Sequence, residues 1–141
     1  MRLICAVLPL LALAGCSSFQ ADPEKVTAVP AERLLAYQQP VAGSGLVVVD
    51  RDLGMLGGGC YVAVLVDRQV AARIGIGEQV RLHVPPGNRV VGIGIDRADD
   101  SLCGKGRLRR ELAVRVEEGE SQHLRIVSEA KSGFDIRLAT P

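Results

Sequence analysis

The chain has 141 residues, enough for one domain with a useful core, and a formal charge of +1 that leaves no basic excess to hold a nucleic-acid backbone. Aromatic residues make up 3% of it with no Trp, so stacking platforms for sugars or bases are scarce. Arginine outnumbers lysine fourteen to three; this suits two-point recognition of anions but follows as readily from genomic base composition, which is the preferred reading.

The first element is a leader. Arg2 supplies a positive start, residues 3–13 an apolar run, and Ala14 and Gly15 a small-residue end. The run is too short to cross a bilayer as a mature helix. Leu13-Ala14-Gly15-Cys16 resembles the lipobox of bacterial lipoproteins. That resemblance implies a signal peptide over 1–15, and a Cys16 that is acylated on sulfur and then on its new amino terminus with palmitate-type chains, holding the protein to a membrane. Under the same resemblance, Ser17 permits export to the outer membrane, so the expected location is the outer membrane of the cell envelope, facing the periplasm. An ordinary secretory signal with an incidental Cys16 is the alternative, and Cys5 lies in the discarded segment.

Residues 16–44 read as the lipidated terminus and a tether. They carry Pro23, Pro30 and Pro40 with no sustained period, and a flexible coil of that length has a root-mean-square reach of about 30 Å. Within it, residues 31–37 form either two turns of helix after Pro30 or an extended arm that packs Leu34, Leu35 and Tyr37 on the domain.

From Gly45 to the end, 45–141, the period switches to two, the mark of half-buried strands. Residues 46–50 are a near-continuous apolar run, followed by a loop with Gly54, Gly57, Gly58 and Gly59. Residues 60–66 put Cys60, Val62, Val64 and Val66 on one face and Tyr61, Ala63 and Leu65 on the other. A turn at Asp67-Arg68-Gln69 returns the chain through 70–74. Val80, Leu82 and Val84 then alternate with Arg81 and His83. Pro85-Pro86-Gly87-Asn88 is a turn in which glycine supplies a positive φ, joining the next strand at 89–96. After a polar loop over 97–108, Leu112, Val114 and Val116 alternate with polar residues, and strands follow at 122–128 and 134–138. The expected fold is all-β: an antiparallel β-sandwich of about seven or eight strands, or a small barrel.

Two cysteines remain in the domain, Cys60 and Cys103. In an oxidising compartment such a pair is most simply a disulfide, with both residues at one end of the sandwich and Cα atoms within about 7 Å. The bridge would shape the 97–108 loop, which is the best candidate for contact with a partner.

The run Val64-Leu65-Val66-Asp67-Arg68-Gln69-Val70-Ala71-Ala72-Arg73-Ile74, then Gly77-Glu78, then Val84-Pro85-Pro86-Gly87-Asn88-Arg89-Val90 resembles small envelope β-domains of the PEGA and DUF2846 type. Arg68 stands where those domains usually have glycine, and Asn88-Arg89 replaces their histidine region. The resemblance implies a lipoprotein or surface-associated module, with no catalytic set to carry over.

Catalytic and metal constellations are weak. Cys60, Cys103, His83 and His123 are a chemically acceptable zinc set, but their spacings match no closed motif and surface histidines beside a disulfide are preferred; no metal and no cofactor are expected. Asp50-Arg51-Asp52 could share a calcium ion, but reads as solvated charge at a strand end in which the arginine pairs with either acid; Asp99-Asp100 reads the same way. No Gly-x-Ser-x-Gly elbow occurs. Gly43-Ser44-Gly45 lies at a tether boundary, Gly57-Gly58-Gly59 lacks the Lys-Ser/Thr of a phosphate loop, and Gly104-Lys105-Gly106 lacks strand-to-helix context. The expected function is a non-enzymatic, membrane-anchored envelope lipoprotein serving as a structural or protein-interaction module, with an envelope protein as partner. The alternatives are a periplasmic inhibitor that displays the 97–108 loop to a hydrolase, and a hydrolase whose site is unrecognised.

Overall fold

A computed structural model of the chain describes residues 17–54 and 59–140. The leader, Cys16, and Gly57 with Gly58 lie outside the described residues.

Alternation of apolar and polar side chains builds two sheets that face each other across a shared core. The strands are β1 (Thr27–Ala28), β2 (Gly45–Arg51), β3 (Val62–Val66), β4 (Gln69–Ile74), β5 (Glu78–Val84), β6 (Gly87–Ile95), β7 (Arg109–Val116), β8 (Ser121–Glu129) and β9 (Gly133–Leu138). One sheet has the order β1-β5-β2-β8-β9 and the other β4-β3-β6-β7. Val47, Val49, Leu82, Leu124 and Ile126 point inward from the first sheet, and Val64, Val66, Ile74, Val91 and Ile93 from the second, each at most 1% exposed. Burying such a side chain contributes about 1.5–3 kcal/mol.

The sandwich expected from the sequence is therefore present, with nine strands and two departures from a purely antiparallel plan. β2 pairs with β8 in parallel, Val47 opposite Gln122, and β1 pairs with β5 in parallel. The Pro85-Pro86 turn, with Gly87 at φ +124°, carries the chain from β5 in one sheet to β6 in the other.

The expected free tether is corrected. One edge of each sheet, β5 in the first and β4 in the second, would otherwise present unpaired backbone groups, a feature proteins cover, and residues 18–38 cover these two edges. Val29 N–H donates to the Gln79 carbonyl at 3.0 Å beside β5, and Leu34 bridges to Ala72 on β4, with Leu35 N–H on the Ala71 carbonyl at 2.8 Å. Ala21, Val29 and Arg33 are buried. Residues 31–37 follow mainly the extended alternative: after a single 3-10 turn at Ala31–Arg33 the arm runs along the sandwich, and Leu34, Ala36 and Tyr37 pack on the core while Leu35 stays exposed.

The β3–β4 hairpin turns through Asp67 at φ +47° and Arg68 at φ +67°. This is the two-residue turn that glycine favours, because a Cβ crowds the backbone at positive φ. Asp67 secures it by accepting from Val90 N–H at 3.0 Å and from Arg89 at 3.1 Å, bonds that hold its carboxyl below the usual range. Among the described residues Arg68 ion-pairs only with Glu111, at 3.4 Å and with 72% of its side chain exposed. Arg68→Gly should therefore stabilise the protein by about 0.5–1 kcal/mol, read as a higher urea midpoint at unchanged slope; a lower midpoint would refute the strain.

Candidate functional site

The two outer faces of the sandwich differ in chemistry. On the five-stranded sheet the outer face is a satisfied polar ladder. Asp50 accepts from Gln79 at 2.8 Å and meets His123 Nε2 at 2.6 Å, while Asp52 is held by Arg125 at 3.0 and 2.7 Å and by Ser18 at 2.9 Å. The reading of Asp50-Arg51-Asp52 as solvated charge is thus corrected: all three are buried. Strand alternation also turns Arg51 away from its neighbours, to the carbonyls of Cys60 at 2.7 Å and Ile74 at 2.8 Å and beneath the Phe134 ring. Burial pulls its guanidinium down to about 10, still charged at neutral pH.

The outer face of the four-stranded sheet is apolar and hollow. Ala63 lies between Arg73 and Gly94, and Leu65 lies opposite Gly92. Glycines at alternate positions of β6 leave that part of the face without side chains, a common mark of close approach by another group. Leu35, Val70, Val90 and Leu108 complete the walls of an open groove of about 730 Å³, within the range of ligand-binding clefts. Arg68, Arg73, Arg97, Arg107 and Arg109 line it against two acids, Asp96 and Glu111, whereas Arg110, opposite the inward Ile93, contributes its backbone. The formal charge of the whole chain is only +1, so this excess is local. Arg73 is fixed on Asp96 at 2.8 and 2.7 Å, which raises its pKa further; Arg68 and Arg109 share Glu111. Arg97 and Arg107 face no carboxylate within ion-pair distance among the described residues.

One wall of the groove is the 97–108 loop, and its shape is built in. Asp96, 2% exposed, accepts from Ala98 N–H at 3.2 Å as well as from Arg73. Asp99 accepts from Ser101 N–H at 2.8 Å, and Ser101 in turn caps the 3-10 turn Leu102–Gly104 by accepting from Cys103 N–H at 3.2 Å. These bonds to Ser101 hold the Asp99 carboxyl below the usual range. Gly104 packs so closely on the Asp99 carbonyl that a Cβ would collide with it. Cys103 is bridged to Cys60, with Cα atoms 5.4 Å apart, so the expected disulfide is present at the expected end of the sandwich.

The residues singled out in the sequence are otherwise dispersed. Cys60 and Cys103 are bonded to each other, His83 pairs with Leu46 near the far end of β2, and His123 is engaged by Asp50; the zinc set is not brought together. Asp99 shapes the loop. Sequence reading missed the groove floor of Ala63, Leu65, Gly92 and Gly94. The available signal was a strand, residues 60–66, apolar on both faces beside one with Gly92 and Gly94 in alternation.

No protein-family model matches the chain, and neither a curated protein nor a solved structure is significantly similar to it.

Proposed function

We propose that the protein is a non-enzymatic lipoprotein of the bacterial envelope, anchored through Cys16 in the outer membrane and facing the periplasm, and that it docks an extended acidic segment of an envelope partner in the arginine-lined groove. The observation that carries this reading is the pairing of an apolar, glycine-floored sheet face with five arginines against two acids. An apolar floor supplies affinity by burial, and unpaired guanidinium groups favour carboxylates over neutral or basic side chains. Sequences that combine acidic and aliphatic residues in an extended form fit both demands.

A peptide-display selection against the protein tests this. Selected sequences should be rich in Asp and Glu interleaved with aliphatic residues. The paired substitutions Arg97→Glu and Arg107→Glu should weaken a selected peptide about tenfold or more, equivalent to about 1.4 kcal/mol. Gly94→Leu should abolish binding by filling the floor: a Cβ there meets Leu65 Cδ1 at 3.5 Å, ordinary contact, and an unchanged melting temperature checks that the fold is kept. Selection of basic or purely apolar peptides, or indifference to both changes with melting unaltered, would overturn the proposal.

A further inference from the structure

Resting on the reading that Cys16 carries the acyl anchor, we infer that the domain is seated directly on the bilayer, and that the end of the sandwich bearing Phe19 and Leu102 is its lipid-contact surface. Only Ser17 lies between Cys16 and Ser18. Ser18 is pinned by its N–H to the Ser128 carbonyl at 2.8 Å, by its hydroxyl to Asp52 at 2.9 Å, and by accepting from Ser128 N–H at 2.8 Å. Phe19 and Leu53 then exchange both backbone bonds at 2.9 Å. Two Cα steps place Cys16 within about 8 Å of Ser18, so acyl chains on Cys16 bring this end to the level of the lipid headgroups. The long tether that would have let the domain stand off is used up in covering sheet edges.

The same end gathers the finishes of β2, β4, β6 and β8 and the starts of β3, β5, β7 and β9. Phe19 is 62% exposed there, and Leu102, on the disulfide-braced loop, is 83% exposed, the most exposed of the large apolar residues described. Charges around them carry both signs, Asp99, Asp100 and Glu129 with Arg97, Lys105, Arg107 and Lys131, so the exposed apolar side chains rather than a strong charge of one sign make the contact, which does not require anionic lipid. Val41, 65% exposed, lies at the opposite end beside Pro85 and Pro86, one strand length or about 20 Å away.

The chain has no Trp, so single-tryptophan variants Phe19→Trp, Leu102→Trp and Val41→Trp of the full lipidated protein report position directly in vesicles of brominated phosphatidylcholine. Side chains at the headgroup boundary should lose about half of their emission at positions 19 and 102, whereas position 41 should keep nearly all of it. Inserting about twelve Gly/Ser residues between Ser17 and Ser18 should release the quenching. Unquenched emission at 19 and 102, equal quenching at all three positions, or quenching that survives the insertion would overturn the seating. Mass spectrometry of the N-terminal peptide separates the two layers: an unacylated Cys16 sinks the lipoprotein reading itself, and an acylated Cys16 with an unquenched tryptophan at 19 sinks the seating alone.

Discussion

Replacing Cys60 and Cys103 together by alanine should lower the unfolding free energy by about 4 kcal/mol, the chain-entropy value for a loop of this size. The bridge closes a sequence separation of 43 residues, and opening it restores that freedom to the unfolded chain. For a domain whose whole stability is about 5–15 kcal/mol, the loss corresponds to a fall of about 10–20 °C in melting temperature. Urea unfolding of the oxidised protein, with and without dithiothreitol, reads the same quantity without mutation. Coincident transitions would show that the bridge constrains nothing. Its removal should also weaken peptide binding, because Cys103 holds the 3-10 turn Leu102–Gly104 in the loop that walls the groove.

Glu78→Ala is expected to be about as damaging, at about 3–5 kcal/mol, because it leaves a buried guanidinium without its counter-charge. Arg33 donates to both Glu78 oxygens at 2.7 and 2.6 Å, with side chains 8% and 14% exposed. Glu78 also accepts from Gly75 N–H at 2.6 Å, a donor that the alanine would strand. Arg33 lies 4.1 Å from the centre of the Tyr61 ring, and the same ring meets Arg73, which is held by Asp96. One chain of contacts thus ties the N-terminal arm, both sheets and the groove wall.

The pair also makes stability depend on pH. Burial pushes the Glu78 carboxyl up, but bonds from Arg33 and Gly75 N–H, with the charges of Arg33 and Arg51, outweigh it and leave the value below the ordinary one. A value lower in the folded than in the unfolded chain gives stability that is complete above the ordinary glutamate range and is lost as pH falls through the folded value. The gap in urea midpoint between wild type and Glu78→Gln should therefore be largest near neutral pH and close on acidification. A gap that stays constant down to acid pH would refute the assignment.

Much of the fold was legible because strand alternation is a local property. Val80, Leu82 and Val84 against Arg81 and His83 announce β5 without reference to any other strand, and the pattern is met by side chains at most 1% exposed. The disulfide was legible because the two cysteines of the domain, Cys60 and Cys103, leave one pairing. The arm was misread as a coil because Thr27–Ala28 forms a strand of two residues, too short to show a period; β5 supplies what holds it. Asp50 and Asp52 were misread as solvated because their partners, His123 and Arg125, lie more than seventy residues away.

By itself, then, the sequence determined most of the strands, the buried side of clearly alternating ones such as β5, most of the turns and the Cys60–Cys103 cross-link, since each follows from side-chain chemistry repeated over a few residues. Only the tertiary structure decided that β2 runs parallel to β8, that residues 18–38 cover the β5 and β4 edges, and that Gly92, Gly94, Ala63 and Leu65 form a floor ringed by arginines. Those features depend on which strands become neighbours. A half-buried strand specifies the face it buries but not the partner beside it, and the choice among partners is made by the combined burial of both sheets.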